Sequence, residues 1–191
     1  MKQLKTLLVV LPLIGCAKKI TFVIFLLAIV GCSSMPGGIA VDKSNYDGTV
    51  QVKMQPAFIS SKLFSPSVKM GIRKNSQMKK DDLIMIVRHD EIKSFASGEN
   101  FLVKIDEKET KFSPIEKSMD CEVGGSTDIS HCYAEYIISR DFAEKMAAGK
   151  DVKVRLFLRD GIVDDEMTCE GYSCFKPSLK DFLKKLTENG L

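Results

Sequence analysis

Apolar and polar side chains alternate in five short runs of the chain after residue 49. An alternation with a period of two places every second side chain on the same face, which is typical of a β-strand buried on one side. These runs therefore predict half-buried strands. Their apolar positions are Val50, Val52 and Met54; Val68, Met70 and Ile72; Phe101, Val103 and Ile105; Cys132, Ala134, Tyr136 and Ile138; and Val152, Val154, Leu156 and Leu158.

Three further segments extend this strand pattern. Residues 83–87 are apolar throughout, which predicts a central strand buried on both faces. The polar stretch 106–109 predicts a turn that leads into a short strand at 110–112. Asp160-Gly161 follows the last alternating run and predicts a tight hairpin into Ile162-Val163. Short strands joined by such turns favour a mostly antiparallel arrangement.

A first helix is predicted over residues 140–148. Ser139 precedes it and can accept hydrogen bonds from the first backbone amides, and Gly149 follows it, where helices often end in a left-handed residue. Phe142 and Met146 lie four residues apart and therefore share one face. Because this helix separates two predicted strands, it is a candidate for the crossover between two sheets.

A second helix is predicted over residues 179–188. Ser178 is its expected N-cap, with Asp181 three residues later as a shortened capping box. Its apolar residues recur at the spacing of one helix face, which is the pattern of core packing. They are Leu179, Phe182, Leu183 and Leu186.

Together these elements predict a mainly β fold, with an α+β arrangement also open. We expect residues 49–191 to form a single globular domain, a small antiparallel β-sandwich-like domain with two short helices. A sheet with the helices packed on it is the alternative within the same class. The pattern does not determine the strand order.

The N-terminal segment has the organisation of an export signal. Lys18-Lys19 precede the apolar residues 20–31, and these twelve residues are fewer than the roughly 20 that a membrane-spanning helix needs. The apolar stretch ends in Ile29-Val30-Gly31-Cys32. This motif resembles the lipobox of bacterial lipoproteins. The resemblance implies a diacylglyceryl group on the Cys32 sulfur, cleavage after Gly31 and acylation of the new amino group.

A second lipobox-like motif, Leu13-Ile14-Gly15-Cys16, makes Cys16 the alternative site. We favour Cys32, because residues 33–38 are rich in serine and glycine and have the composition of a flexible tether. The predicted organisation is therefore a signal peptide at 1–31 and a lipidated cysteine with its tether at 32–48. An uncleaved N-terminal membrane helix is a further alternative, and Lys18-Lys19 argue against it.

The lipoprotein resemblance also implies a location. Several acyl chains anchor a protein stably, so the implied partner is a membrane. Ser33 follows the lipidated cysteine in place of the aspartate that resembles an inner-membrane retention signal. In a Gram-negative host this favours lipid anchorage in the outer membrane, with the domain facing the periplasm.

Charge separates the signal from the rest of the chain. Residues 1–31 contain four of the 28 basic residues and none of the 25 acidic ones, so residues 32–191 carry a net charge of −1. The basic balance of the whole chain therefore belongs to the signal. Nucleic-acid binding requires a clustered basic surface, and we expect no nucleic-acid partner.

Four cysteines remain once Cys16 is removed and Cys32 is acylated: Cys121, Cys132, Cys169 and Cys174. In an oxidising compartment an even number favours disulfides, and three pairings are possible. We favour the two local pairs, Cys121–Cys132 and Cys169–Cys174. A zinc site is the alternative, but the ten residues between Cys121 and Cys132 exceed the usual spacing of zinc ligands.

No catalytic or cofactor motif stands out. His89 is interpreted as part of a polar strand exit and His131 as an exposed loop residue. The carboxylates at 160–166 are interpreted as a solvated turn, because they lack the spacing of a calcium loop. We therefore assign no catalytic residue, metal or cofactor. The expected function is a non-enzymatic binding or support module of the cell envelope, with a possible envelope protein partner. A periplasmic hydrolase and a small-molecule or calcium-binding module are the alternatives.

Overall fold

A computed structural model of the protein describes residues 35–61, 68–91, 93–116, 118–122, 131–171 and 173–191. Residues 35–191 belong to one folded unit. Within the described residues the elements run in the order β1 (Ile39–Lys43), β2 (Val50–Phe58), β3 (Val68–Asn75), β4 (Asp82–His89), β5 (Phe101–Ile105), β6 (Lys108–Phe112), β7 (Asp120–Glu122), β8 (His131–Ser139), α1 (Arg140–Ala148), β9 (Val152–Leu158), β10 (Gly161–Glu166) and α2 (Phe175–Glu188).

The strands form two antiparallel sheets. The larger sheet has the order β1-β2-β3-β4-β8-β7, and the smaller sheet has the order β10-β9-β5-β6. The predicted class, a mainly β domain with two helices, is confirmed. Helix α1 leaves β8 in the larger sheet and delivers the chain to β9 in the smaller one, so it forms the predicted crossover.

The core lies on one face of the larger sheet. Met54, Ile72, Met85 and Tyr136 occupy matched positions on four neighbouring strands, and all four are fully buried. Helix α2 covers this face over β2 and β3, and the smaller sheet contacts it at β8. The buried residues of the sheets and helices form one continuous apolar cluster.

The two sheets are joined by a buried hydrogen bond between Tyr136 and Asn100. The Tyr136 hydroxyl donates to the Asn100 side-chain oxygen at 2.8 Å, and the Tyr136 ring lies 5.0 Å from the Phe101 ring. Asn100 is fully buried, and its side-chain amide donates to the Ala96 carbonyl at 2.6 Å. Burial raises the pKa of Tyr136 well above its usual value, so the phenol stays protonated and remains a donor.

Strand β4 is central, as predicted, but the prediction that both of its faces are buried is wrong. Leu83, Met85 and Val87 are buried, whereas Ile84 and Ile86 on the other face are half-buried. Arg73 on β3 and Glu135 on β8 form an ion pair at 2.6 Å that crosses over β4 between these isoleucines. The aliphatic parts of long polar side chains can cover apolar surface, and this replaces a second packed layer.

Strand β1 lies inside the segment that the sequence predicted to be a flexible tether, 32–48. It pairs with β2 along its whole length, from Ile39 opposite Met54 to Lys43 opposite Val50. The preceding glycines also have fixed roles, because Gly37 adopts a positive φ of 76° and donates a hydrogen bond to the Gln55 carbonyl at 3.2 Å. Glycine here satisfies a turn rather than providing flexibility. The folded unit therefore begins well before the predicted boundary at residue 49.

Helix α1 has the predicted bounds, whereas α2 begins four residues earlier than predicted, at Phe175 with Cys174 as N-cap. Pro177 is tolerated there because it lies in the first turn, where its missing N–H has no helical partner. Phe175 is fully buried and adds a further residue to the apolar stripe of Leu179 and Phe182. The disulfide at Cys174 fixes this helix start.

A buried lysine organises the connection between β3 and β4. Lys74 is 2 % exposed, and its ammonium donates to the backbone carbonyls of Lys79, of Lys80 at 3.1 Å and of Asp82 at 2.9 Å. Burial lowers the pKa of Lys74 from its usual value, and the nearby carboxylates of Asp82 and Asp81 oppose that shift. The Lys74 ammonium therefore stabilises the turn between β3 and β4 by binding three of its backbone carbonyls.

Removing the Tyr136 hydroxyl tests the connection between the sheets. We expect Tyr136→Phe to lower the free energy of unfolding by about 1–3 kcal/mol, because the Asn100 oxygen is left buried without its donor. The measurement is denaturant unfolding, in which the midpoint should fall while the dependence of the unfolding free energy on denaturant concentration stays the same. Tyr46→Phe is the matched control, because Tyr46 is fully exposed, and its effect should stay within about 0.5 kcal/mol. Equal stability of Tyr136→Phe and the parent protein would contradict the role of this bond.

Candidate functional site

The sequence-predicted lipidation sites, Cys32 and the alternative Cys16, lie outside the described residues. The structure pairs the other four cysteines locally. Cys121 is bonded to Cys132, and Cys169 is bonded to Cys174. Disulfides are therefore present at both positions, and the zinc alternative does not apply to these cysteines.

The Cys121–Cys132 disulfide fastens the edge of the larger sheet. Cys121 on β7 lies directly opposite Cys132 on β8 in the ladder, and the Cys132 side chain is fully buried on the inner face. Strand β7 has only three residues, so the covalent link supplements a short ladder. Most of the enclosed loop, residues 123–130, lies outside the described residues.

The Cys169–Cys174 disulfide closes the turn that leads into α2, and backbone hydrogen bonds attach this turn to the end of β2. The Cys169 amide donates to the Ile59 carbonyl at 3.2 Å, and the Phe58 amide donates to the Ser173 carbonyl at 3.2 Å. Cys174 is 3 % exposed and lies beside Phe58 in an isolated parallel bridge. The disulfide therefore holds a turn that is already bound to the sheet.

His89 is buried, so its interpretation as part of a polar strand exit is wrong. It follows Leu83, Met85 and Val87 on the inner face of β4 and lies opposite Cys132 on β8. The polar residue of this strand end is Asp90, which forms ion pairs with Lys69 at 2.6 Å and with Arg88 at 3.1 Å. Successive side chains of a strand point to opposite faces, so His89 lies on the same buried face as Leu83, Met85 and Val87.

Neither ring nitrogen of the buried imidazole forms a hydrogen bond of good geometry among the described residues. Burial lowers the pKa of His89 from its usual value, and the carboxylates of Glu91 and Asp90, together with a weak backbone contact at Glu91, only partly oppose this shift. The neutral form is therefore the stable one in the fold. His131, the second histidine, is half-buried, and its ring centroid lies 6.5 Å from that of Tyr133.

The carboxylates near the last hairpin point to separate partners. Asp164 accepts two hydrogen bonds from Arg155, at 2.6 and 2.8 Å, and this contact lowers the pKa of Asp164. Asp165 is 8 % exposed and accepts a hydrogen bond from the Ser60 hydroxyl at 3.1 Å. In the part of the chain that the structure describes, no group of three or more potential metal ligands converges.

Two clefts are candidate binding surfaces. A cleft of about 620 Å³ lies beside the Cys169–Cys174 disulfide and is lined by Lys150, Lys176, Lys180, Glu166 and Glu170, among others. A pocket of about 280 Å³ lies between the β5–β6 hairpin and α1, with Ile105, Phe142 and Ala148 in its wall and Asp106 and Lys145 near them. The first cleft presents opposite charges to a polar partner, and the second presents apolar surface.

The outer face of the smaller sheet carries a groove of about 370 Å³ that includes Lys104, Lys153 and Arg155. Each of these cations has a carboxylate partner: Lys104 contacts Glu107 at 2.6 Å, Lys153 contacts Asp151 at 2.8 Å and Arg155 contacts Asp164. The face is therefore neutralised locally, as expected for a solvated sheet surface.

Exposed apolar side chains are concentrated at the N-terminal edge of the domain. Met35, Val41 and Tyr46 are 61 %, 43 % and 100 % exposed, and they precede, belong to and follow β1. The sequence pattern does not reveal this edge, because residues 32–48 have the composition of a flexible tether. The signal was present in Asp47-Gly48, a turn dipeptide that follows a short apolar alternation.

The chain was compared with protein families, curated proteins and solved structures, and none of the three comparisons gives a match. Among the described residues, neither helix combines the length and the apolar character needed to cross a membrane.

Acidification tests the state of His89. An unfolded histidine has a pKa of about 6.5, and the folded value is lower, so the unfolded chain binds more protons below that pH. Stability carried by His89 is therefore complete above pH ~6.5 and is lost as the pH falls, at up to about 1.4 kcal/mol per pH unit. Denaturant unfolding between pH 7 and pH 5 measures this loss.

We expect His89→Leu to reduce the loss of stability on acidification relative to the parent protein. The matched control is His131→Gln, which removes the other histidine and shows how much of the loss belongs to His89. Parallel pH profiles for His89→Leu and the parent protein would contradict the assignment of a buried neutral imidazole.

Proposed function

We propose that this chain is a lipid-anchored lipoprotein of the bacterial cell envelope, whose domain serves as a non-enzymatic binding or support module at the membrane surface. The observation that carries the proposal is the position of the lipobox-like Ile29-Val30-Gly31-Cys32 relative to the fold. Only residues 33–36 separate Cys32 from Gly37, the first of the described residues that is hydrogen-bonded to β2.

This spacing limits how far the domain can lie from its anchor. An extended chain spans at most about 3.6 Å per residue, so five residue steps place the Gly37 backbone within about 18 Å of Cys32. A domain on such a short connection stays beside the lipid headgroups. This suits a module that acts on or within the envelope layer next to its own membrane.

The disulfides support the proposed compartment. Disulfides persist in exported proteins and are rare where thiols are kept reduced. The first pair encloses a sequence separation of 11 residues and the second a separation of 5. Loops of these lengths correspond to about 3 and about 2 kcal/mol of stabilisation on the chain-entropy account. The first bond fastens β7 to β8 in the larger sheet, and the second closes the turn before α2. Such covalent links suit a domain outside the cytoplasm.

The surface supports a binding role more than a reactive one. Lys104, Lys153 and Arg155 on the smaller sheet each have a carboxylate partner. The clefts are lined by lysines, carboxylates and aliphatic side chains. Such surfaces fit an envelope protein partner with mixed charges. The cleft beside Cys169–Cys174 is the preferred contact region, because a disulfide and a helix start fix its shape.

Metabolic labelling with a palmitate analogue tests the anchor. In a bacterial host, we expect the full-length chain to incorporate the label and Cys32→Ala to lose it completely. Cys16→Ala is the matched control, because it removes the competing cysteine, and it should keep full labelling.

Two outcomes would overturn the assignment. Labelling that survives in Cys32→Ala but disappears in Cys16→Ala would move the anchor to Cys16. No labelling of the parent chain would exclude lipidation and with it the proposed function.

A further inference from the structure

We infer that the β1 edge of the domain, defined by Met35, Val41 and Tyr46, rests on the bilayer surface to which Cys32 is anchored. This inference rests on the proposed lipid anchor and adds an orientation: β1 lies along the membrane plane, and the larger sheet rises away from it. The partner of this edge is the interfacial region of the lipid bilayer.

Exposed apolar residues are concentrated at this edge. The described chain has six large hydrophobic residues that are exposed, and three of them lie within its first twelve residues. Isolated exposed apolar residues need no explanation, but here one lies on the edge strand β1 and the other two lie shortly before and after it. Strand β1 has five residues and therefore a length of about 17 Å, with Met35 before one end and Tyr46 beyond the other.

The turn after β1 presents Tyr46 on a fixed backbone. The Ser44 amide donates to the Thr49 carbonyl at 2.8 Å, and the amides of Tyr46 and Asp47 donate to the Ser44 hydroxyl at 3.2 and 3.3 Å. The Thr49 amide donates to the Asp47 carboxylate at 3.0 Å. The turn is thus held firmly while the aromatic ring at its tip is fully exposed.

A tyrosine in this position matches the chemistry of the bilayer interface. Tyr side chains concentrate at the level of the lipid headgroups, because the ring is apolar and the hydroxyl can stay hydrated. The backbone groups on the outer side of β1 can also remain hydrated there. The headgroup region therefore accommodates a sheet edge that the hydrocarbon core would exclude.

The short connection to the proposed anchor limits how far this edge can lie from the membrane. Gly37 leads directly into β1 and lies within about 18 Å of Cys32 along an extended chain. The charges beside the edge balance, with Asp42 and Asp47 against Lys43 and Lys53. The contact is therefore expected to depend on apolar and interfacial side chains rather than on anionic lipids.

Single tryptophans provide a direct test, because the chain contains none. The lipidated full-length protein is purified as Tyr46→Trp and reconstituted into phosphatidylcholine vesicles with ordinary or brominated acyl chains. We expect its emission to shift to the blue on reconstitution and to fall at least about twofold in brominated vesicles relative to ordinary ones, because a ring at the interface lies close to the acyl chains.

Ile137→Trp is the matched control. Ile137 is 55 % exposed on β8, four strands away from β1 in the larger sheet, a distance of about 19 Å. Its emission should be the same in both vesicles. Met35→Ser combined with Val41→Ser in the Tyr46→Trp background should weaken the quenching of the tryptophan emission, because the edge then loses its other apolar contacts.

Vesicle flotation and the mass of the N-terminal peptide separate the two claims. A protein that floats with lipid on Cys32 but shows equal Tyr46→Trp emission in both vesicles overturns the inference and leaves the anchor intact. Quenching of Ile137→Trp instead of Tyr46→Trp would place the outer face of the larger sheet on the membrane and would overturn the inference. A blue shift of Tyr46→Trp without quenching would mean that protein rather than lipid covers the ring, and it would overturn the inference too. A protein without lipid overturns the proposed function and, with it, the orientation.

Discussion

The hydrogen bond between Tyr136 and Asn100 determines how the two sheets meet. Asn100 is fully buried, and its backbone is bonded to Phe112 on β6 and to Phe157 on β9. Asn100 therefore joins two strands of the smaller sheet and also accepts the hydrogen bond of the Tyr136 hydroxyl from the larger sheet. Leaving the buried Asn100 oxygen without its donor would be costly, so relative movement of the sheets would break a bond that the apolar core does not replace. The aromatic contact between Phe101 and Tyr136 lies beside this bond.

The remaining elements complete the cover of the same inner face. Helix α1 connects the sheets and contributes Phe142, whose ring lies 4.9 Å from that of Phe112. Helix α2 covers β2 and β3, and Cys169–Cys174 fixes its start. The same face carries the buried imidazole of His89 next to Cys132. Among the described residues, the ion pair between Arg73 and Glu135 gives the opposite face partial cover. The two faces of the larger sheet therefore differ in how completely they are buried.

The sequence pattern predicted the elements whose signals are local. Strand β9, its hairpin to β10 and helix α1 with its Ser139 cap follow from alternation, turn residues and capping within a few positions. It did not predict β1, because two alternating apolar residues beside Gly37 and Gly38 have the composition of a linker. The polar neighbours Arg88, Asp90 and Glu91 suggest an exposed His89, whereas its even spacing from Leu83, Met85 and Val87 along the strand predicts the burial that the structure shows. The partial exposure of β4 and the early start of α2 depend on contacts distant in sequence. The candidate membrane edge was missed with β1, whereas the lipobox-like motif is readable from sequence alone.

In the proposed lipoprotein, a very short connection joins a disulfide-bonded domain to its lipid anchor. The most direct test of this proposal is mass spectrometry of the intact protein extracted from membranes, measured with and without reduction, and of its N-terminal peptide. We expect a first peptide that begins at acylated Cys32 and a gain of four hydrogens on reduction, two for each disulfide. An unprocessed N-terminus or four free thiols would contradict the proposal, because the domain would then belong to a compartment where neither modification is made.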